Sequence, residues 1–160
     1  LAFAADRMTH LEEEIIPKLQ EGETVVCDRY YHSSLVYQPA LGADYDWVKG
    51  LHENAVRPDL TLILEISSKE ALSRVEKREH EVDSGTVPGY GEDQASLNYF
   101  VKNGSEDNIF ENLSFQEKVA LGYSKLPERL DEDIHVVDSS QPLAEVFEEI
   151  LGLVDSRLDL

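Results

Sequence analysis

Asp28 and Arg29 stand side by side, and together they suit phosphate chemistry. A carboxylate can hold a magnesium ion or its waters, and a guanidinium can grip a phosphate at two points. They close the run Thr24-Val25-Val26-Cys27-Asp28-Arg29-Tyr30, whose apolar residues predict a short buried strand over 24–28. In open α/β sheets ligands bind at the C-terminal ends of such strands. The plainer alternative is a buried strand followed by a solvated ion pair. Cys27, the single cysteine, lies inside the run. A thiol buried beside an Asp has its thiolate disfavoured, so a nucleophilic role is not expected.

The rest of the chain limits what such a site can serve. Its 160 residues, 41% of them hydrophobic, suit one domain with a real core. Acids number 33 against 14 bases, for a net charge of −19. Such a surface repels nucleic acid and anionic membranes. It also repels a polyanionic nucleotide, so a phosphate site must be a local basic island. The acidity is also what a salt-adapted surface looks like. No apolar run approaches the roughly 18 residues of a membrane helix, and no segment has the order of a signal peptide. With one cysteine there is no intrachain disulfide, and a reduced, cytoplasmic setting is expected. His10, His32, His52, His80 and His135 are scattered without zinc spacing, and each reads as structural or solvated.

Stepping along the sequence, residues 2–19 predict an amphipathic helix kinked or ended near Pro17 and closed by Gly22. After the strand at 24–28, Ser33 to Leu41 predicts a helix capped by Ser33 and stopped by Pro39 and Gly42. Asp44 caps the next helix, which carries Trp47, Val48 and Leu51. Leu60 to Ile66 predicts a strand covered on both faces. Ser67 or Ser68 caps a helix running to about Arg78. Residues 80–106, broken by glycines, predict a lid or binding loop. A helix follows at about 107–126, then a strand at Ile134–Asp138. The last helix has Pro142 at its first position and Leu143, Val146, Phe147, Ile150 and Val154 inward. Strands alternating with helices mean an α/β fold with a parallel sheet.

Several segments now converge. Phe3-Ala4-Ala5-Asp6-Arg7 lies on the first helix. Asp28-Arg29-Tyr30-Tyr31-His32-Ser33-Ser34-Leu35-Val36-Tyr37-Gln38 follows the first strand, and Pro58-Asp59-Leu60-Thr61 opens the second. Ala71-Leu72-Ser73-Arg74 with Arg78, Phe115-Gln116-Glu117-Lys118-Val119, and Val137-Asp138-Ser139-Ser140-Gln141-Pro142 come later. In this order and spacing the chain resembles thymidylate kinase over nearly its whole length. The resemblance implies a single nucleotide kinase core. Its fold is a three-layer parallel sheet of the P-loop nucleotide kinase type, with residues 80–106 as the lid. It implies transfer of the terminal phosphate of ATP to dTMP, giving dTDP, with magnesium.

The resemblance also assigns roles. Phe3 lies on the thymine ring, and Arg7 hydrogen-bonds its carbonyl edge. Asp28 supports the magnesium and phosphate network, while Arg29 grips the acceptor phosphate; these two are the catalytic pair. Ser34 and Gln38 face the base, and Tyr37 lies near the sugar, disfavouring a 2′-hydroxyl. Arg74, Arg78 and Gln141 fall on the ATP side. Spacing agrees for one pair: Phe3 and Arg7, four apart, share a helical face. Family members commonly pair as homodimers.

The chain departs from the pattern in two places. The phosphate-cradling Gly-x-x-x-x-Gly-Lys-Ser/Thr motif is absent, and the chain opens inside an apparent helix. The expectation is a fragment lacking the first strand and the P-loop, inactive and poorly folded if made alone. In the lid, Asp107-Asn108-Ile109-Phe110-Glu111 has Asn where the family often has Arg. The transferring group is then served by an Arg of the missing loop, or by Arg74 and Arg78. Two other functions compete: another nucleoside or nucleotide kinase, and a non-catalytic nucleotide-binding or interaction domain derived from a kinase.

Overall fold

The computed structural model describes residues 2–71, 73, 74 and 113–158. The lid at 80–106, Arg78, Asn108 and the start of the helix predicted from 107 lie outside the described residues, as does the side chain of Phe3.

The first helical stretch runs without a break from α1 (Ala2–His10) through a π turn (Leu11–Ile15) into α2 (Ile16–Gln20). Pro17 neither ends nor visibly interrupts it. Proline lacks the N–H of the helical ladder, and its ring crowds the carbonyl four residues back. A π turn placed just before it widens the backbone there. Leu11 and Ile15 on that turn are buried. The chain leaves the helix through Gly22, whose φ of 81° needs a residue without a Cβ.

The expected strand at 24–28 is absent. Residues 23–27 take no regular structure, Val26 is 90% exposed and Cys27 is exposed. β-propensity holds a strand only where a neighbour completes its ladder. Among the described residues the sheet has two strands, and neither pairs with this run. The argument that burial keeps Cys27 unreactive falls with it.

Those two strands, β1 (Thr61–Glu65) and β2 (Ile134–Asp138), run parallel, with Thr61 opposite Ile134 and Glu65 opposite Asp138. The parallel pairing and both strand positions agree with the sequence. Cover on both faces does not. Ile63 and Val137 are buried, but each shares its face with an open neighbour across the ladder, Val136 and Leu64 respectively, so among the described residues each face is only partly covered.

The face carrying Ile63 meets the core built with α3 (Tyr31–Ala40), α4 (Tyr45–Gly50), α5 (Leu113–Ser124) and α6 (Leu126–Arg129). The core joins Tyr31, Leu35 and Val36 of α3, Val48 of α4 and Ile63 of β1. Phe115 and Val119 of α5, Leu126 of α6 and Leu130 complete it. Asp44 caps α4 by accepting the Trp47 N–H at 2.8 Å, as predicted. Ser67 caps the helical turn at 68–71 through the Glu70 N–H. Ser33 does not cap α3. The helix begins two residues earlier, and the Ser33 hydroxyl instead meets the Tyr123 hydroxyl at 3.1 Å. α7 (Leu143–Leu158) starts directly after Pro142. Val146 is buried, but Leu143 is 85% and Phe147 58% exposed, so these two do not face inward as expected.

Candidate active site

Asp28 and Arg29 lie in the link between α2 and α3, not at the end of a strand. Arg29 has φ 65°, in the left-handed region. A side chain there is disfavoured by roughly 1–2 kcal/mol, and such strain clusters at functional sites. The turn brings the pair to a cleft of about 440 Å³, with Asp6, Arg7, Lys18 and Tyr30 in its lining. Three of the chain's 14 cationic side chains, Arg7, Lys18 and Arg29, thus meet in one place. Asp6, Glu14 and Asp28 line the same cleft, so it is locally balanced in charge rather than the basic island expected.

Arg7, from α1, reaches across to α3 and the turn after α4. Its Nη1 donates to Ser34 Oγ at 3.4 Å and lies 3.2 Å from His52 Nδ1. Its guanidinium carbon sits 5.6 Å above the Tyr30 ring. Among the described residues no carboxylate forms an ion pair with Arg7. In a chain with 33 acids, that leaves its positive charge available to a ligand. Arg29 likewise rests on an aromatic face, 5.6 Å from the centre of the Tyr37 ring.

α3 presents Ser34, Tyr37 and Gln38 at helical spacing on one side. Ser34 is buried, whereas Tyr37 and Gln38 are half-buried. The Tyr37 ring packs against Phe115 at 6.1 Å and Tyr123 at 6.4 Å, both on α5. So the structure brings together Arg7, Asp28, Arg29, Ser34 and Tyr37. Phe3 lies one turn before Arg7 on α1, and nothing is described of its side chain.

Behind this cleft is a buried polar cluster that sequence reasoning missed. Glu132 Oε1 accepts the Tyr31 hydroxyl at 2.6 Å, and Oε2 pairs with His32 Nε2 at 2.8 Å. Both the His32 and Glu132 side chains are less than a tenth exposed. The Tyr31 ring stacks on His32 at 4.2 Å and lies 6.1 Å from His52. Burial, and then the hydrogen bond to Glu132, push the Tyr31 phenol far above its ordinary range, so it remains a donor. Two bonds to a buried carboxylate anchor the start of α3 directly after the Asp28-Arg29 turn. In the sequence Glu132 sits inside the charged run Asp131-Glu132-Asp133, which reads as solvated.

Of the residues expected on the ATP side, Arg74 and Gln141 are described, and both lie near the C-terminal ends of the strands. Arg74 pairs with Glu70 Oε1 at 2.9 Å and donates to the Ser139 carbonyl at 3.1 Å. That contact sets it beside the Ser139-Ser140-Gln141 turn. There Asp138 accepts the Ser140 N–H at 2.9 Å and hydroxyl at 2.6 Å, and these bonds lower its pKa.

Asp28 is the one expected metal ligand. Among the described residues no cluster of three metal-binding side chains exists. A lone carboxylate fits magnesium, which is usually held by one or two carboxylates with waters and substrate phosphates completing the shell.

Parallel strands joined through helices fit the α/β fold of a P-loop nucleotide kinase. A family model described as thymidylate kinase matches residues 1–86. "Probable thymidylate kinase" of Pyrococcus horikoshii is 35% identical over 158 residues, covering 99% of this chain and 64% of its own length. Thymidylate kinase of Geobacillus thermodenitrificans is 37% identical over 164 residues, 99% of this chain and 63% of its own. That of Bacillus pumilus is 33% identical over 162 residues, 99% and 66%. The chain therefore belongs to the thymidylate kinase family, and it spans about two thirds of the length of these relatives, or slightly less.

Proposed function

We propose that the protein carrying this chain transfers the terminal phosphate of ATP to dTMP, giving dTDP. The observation that carries this reading is one cleft lined by Arg7, Asp28 and Arg29, with Ser34 against Arg7 and Tyr37 beneath Arg29. In it the attacking acceptor phosphate lies against Arg29, whose guanidinium offsets the charge that builds as the phosphoryl group moves. Phosphoryl transfer depends mainly on such positioning and charge neutralisation. Arg7 donates to the carbonyl edge of thymine, with Ser34 and Gln38 beside it and Phe3 on the ring. Tyr37 closes the sugar side and disfavours a 2′-hydroxyl. Asp28 is the residue that would hold magnesium, which supplies charge neutralisation on the donor phosphates. Arg74, Arg78 and Gln141 serve the ATP side.

The finer features belong to the same proposal. They are a single nucleotide kinase core with a three-layer sheet, residues 80–106 as its lid, a homodimer, a cytoplasmic setting and no nucleic-acid partner.

The test uses the product of the complete reading frame. It should phosphorylate dTMP with ATP and magnesium. Arg29→Ala should lower kcat about 100-fold or more, the scale for one lost charge-stabilising donor. Near-normal turnover in that variant would refute the role of Arg29. Binding without transfer, in a protein whose upstream sequence holds no Gly-x-x-x-x-Gly-Lys-Ser/Thr, would favour a non-catalytic nucleotide-binding domain.

A further inference from the structure

A guanidinium carries five N–H groups in a fixed plane, so its use in recognition depends on which of them are already engaged. One end of Arg7 is engaged here. Nη1 lies 3.2 Å from His52 Nδ1 and 3.4 Å from Nε2, with Ser34 Oγ at 3.4 Å. His52 is buried, at 7% exposure. It sits just after α4, held by its own N–H to the Lys49 carbonyl at 3.0 Å. One neighbour is the Tyr31 ring, inclined at 24°. Tyr31 is in turn tied to Glu132 at 2.6 Å. The imidazole therefore has little freedom to move away from Arg7.

We propose that His52 is a positioning residue for base selection. Wedged between the Tyr31 ring and the Arg7 guanidinium, it fixes one edge of Arg7 so that the remaining N–H groups face a pyrimidine carbonyl. A neutral imidazole suits this better than a carboxylate, because it orients the guanidinium without neutralising its charge. Burial, and then the Arg7 charge, lower the His52 pKa to about 4, so the ring stays neutral at neutral pH and its face takes the guanidinium, with Nη1 nearly equidistant from the two ring nitrogens. The base selected has a carbonyl opposite Arg7, as thymine and uracil do. Cytosine presents an amino group there, which two fixed donors oppose.

This inference rests on the kinase reading, and the experiment separates the two. In the product of the complete reading frame, His52→Leu removes the flat polar ring beneath the guanidinium and His52→Asn keeps a flat polar group there. Steady-state kinetics with dTMP and dCMP, and calorimetric titration of dTMP, are measured on both variants and the wild type. His52→Leu should raise KM for dTMP about tenfold, the scale of one hydrogen bond to a charged group. It should lower the dTMP-over-dCMP preference in kcat/KM to a similar degree and leave kcat within about twofold. His52→Asn should restore most of both. Unchanged KM and preference in His52→Leu would overturn the proposal. So would equal impairment of both variants, or failure of both to fold, either of which marks His52 as structural only. A wild type that binds dTMP without phosphorylating it would sink the kinase reading alone, and dTMP affinity would still decide the role of His52. A wild type that binds no dTMP would overturn both.

Discussion

An imidazole held against a guanidinium leaves a signature in how stability depends on acid. Unfolded, His52 takes up a proton below its ordinary value near 6.5; folded, it does not until about pH 4. Between these values the unfolded state binds more protons, so stability falls as the pH drops through that window. Above pH 6.5 the effect is absent. Asp46, Glu53 and Glu132, with Lys49 and Arg57, line the same cavity as His52, but burial and then the Arg7 charge set the direction of its shift. Urea unfolding of wild type and His52→Asn between pH 7 and 4 should show the wild type losing up to about 3 kcal/mol more than the variant. Parallel curves would show that His52 titrates normally. The same residue shows where reading a sequence stops. Asp28, Arg29 and Arg7 are legible because their types name a chemistry and their motif fixes their neighbours. His52 and Glu132 are not, because each acts on a residue 45 or about 100 positions away.

α3 positions three expected site residues, and α5 holds α3. The two helices come closest at Gly122, where an added Cβ would lie 2.8 Å from Val36 Cγ1. Val36 is buried and β-branched, so it cannot rotate aside cheaply. Gly122→Ala should therefore destabilise the protein by about 1–2 kcal/mol. Overpacking of about 1–3 kcal/mol is only partly offset by the helix preference for alanine. Because Tyr37 rests on Phe115 and Tyr123 of α5, the KM for dTMP should rise as well. A Tm equal to or above that of the wild type would show that the helices separate freely. Helix positions were largely legible, since caps such as Asp44 and Ser67 and the apolar periodicity are local signals. The strand at 24–28 was not, because a strand exists only through its partner, and Val26 stands exposed without one among the described residues. The inward face of α7 failed similarly. Leu143 and Phe147 satisfy the period but meet no covering element among the described residues.

For the molecule as a whole, the governing quantity is a net charge of −19. Mutual repulsion of carboxylates opposes compaction, and salt screens it over a Debye length of about 10 Å at 0.1 M. Thermal unfolding should therefore shift upward as sodium chloride rises from about 0.05 M to about 1 M. Equal Tm values at both ends would remove salt adaptation as the reason for the acidity. The α/β class and the parallel pairing were legible at this scale from the alternation of elements. The partial cover of both sheet faces was not, since it depends on what lies against Leu64 on one face and Val136 on the other. The Glu132 anchor has a further consequence, in time rather than in energy. Its bond to Tyr31 closes a loop of 101 positions, and that of Ser33 to Tyr123 closes one of 90. Loops of that size form before their contacts return any stabilisation, which slows the search for the native state. The turn carrying Asp28 and Arg29 is thus fastened only after distant parts of the chain have met, so the proposed catalytic pair is among the last features to settle during folding.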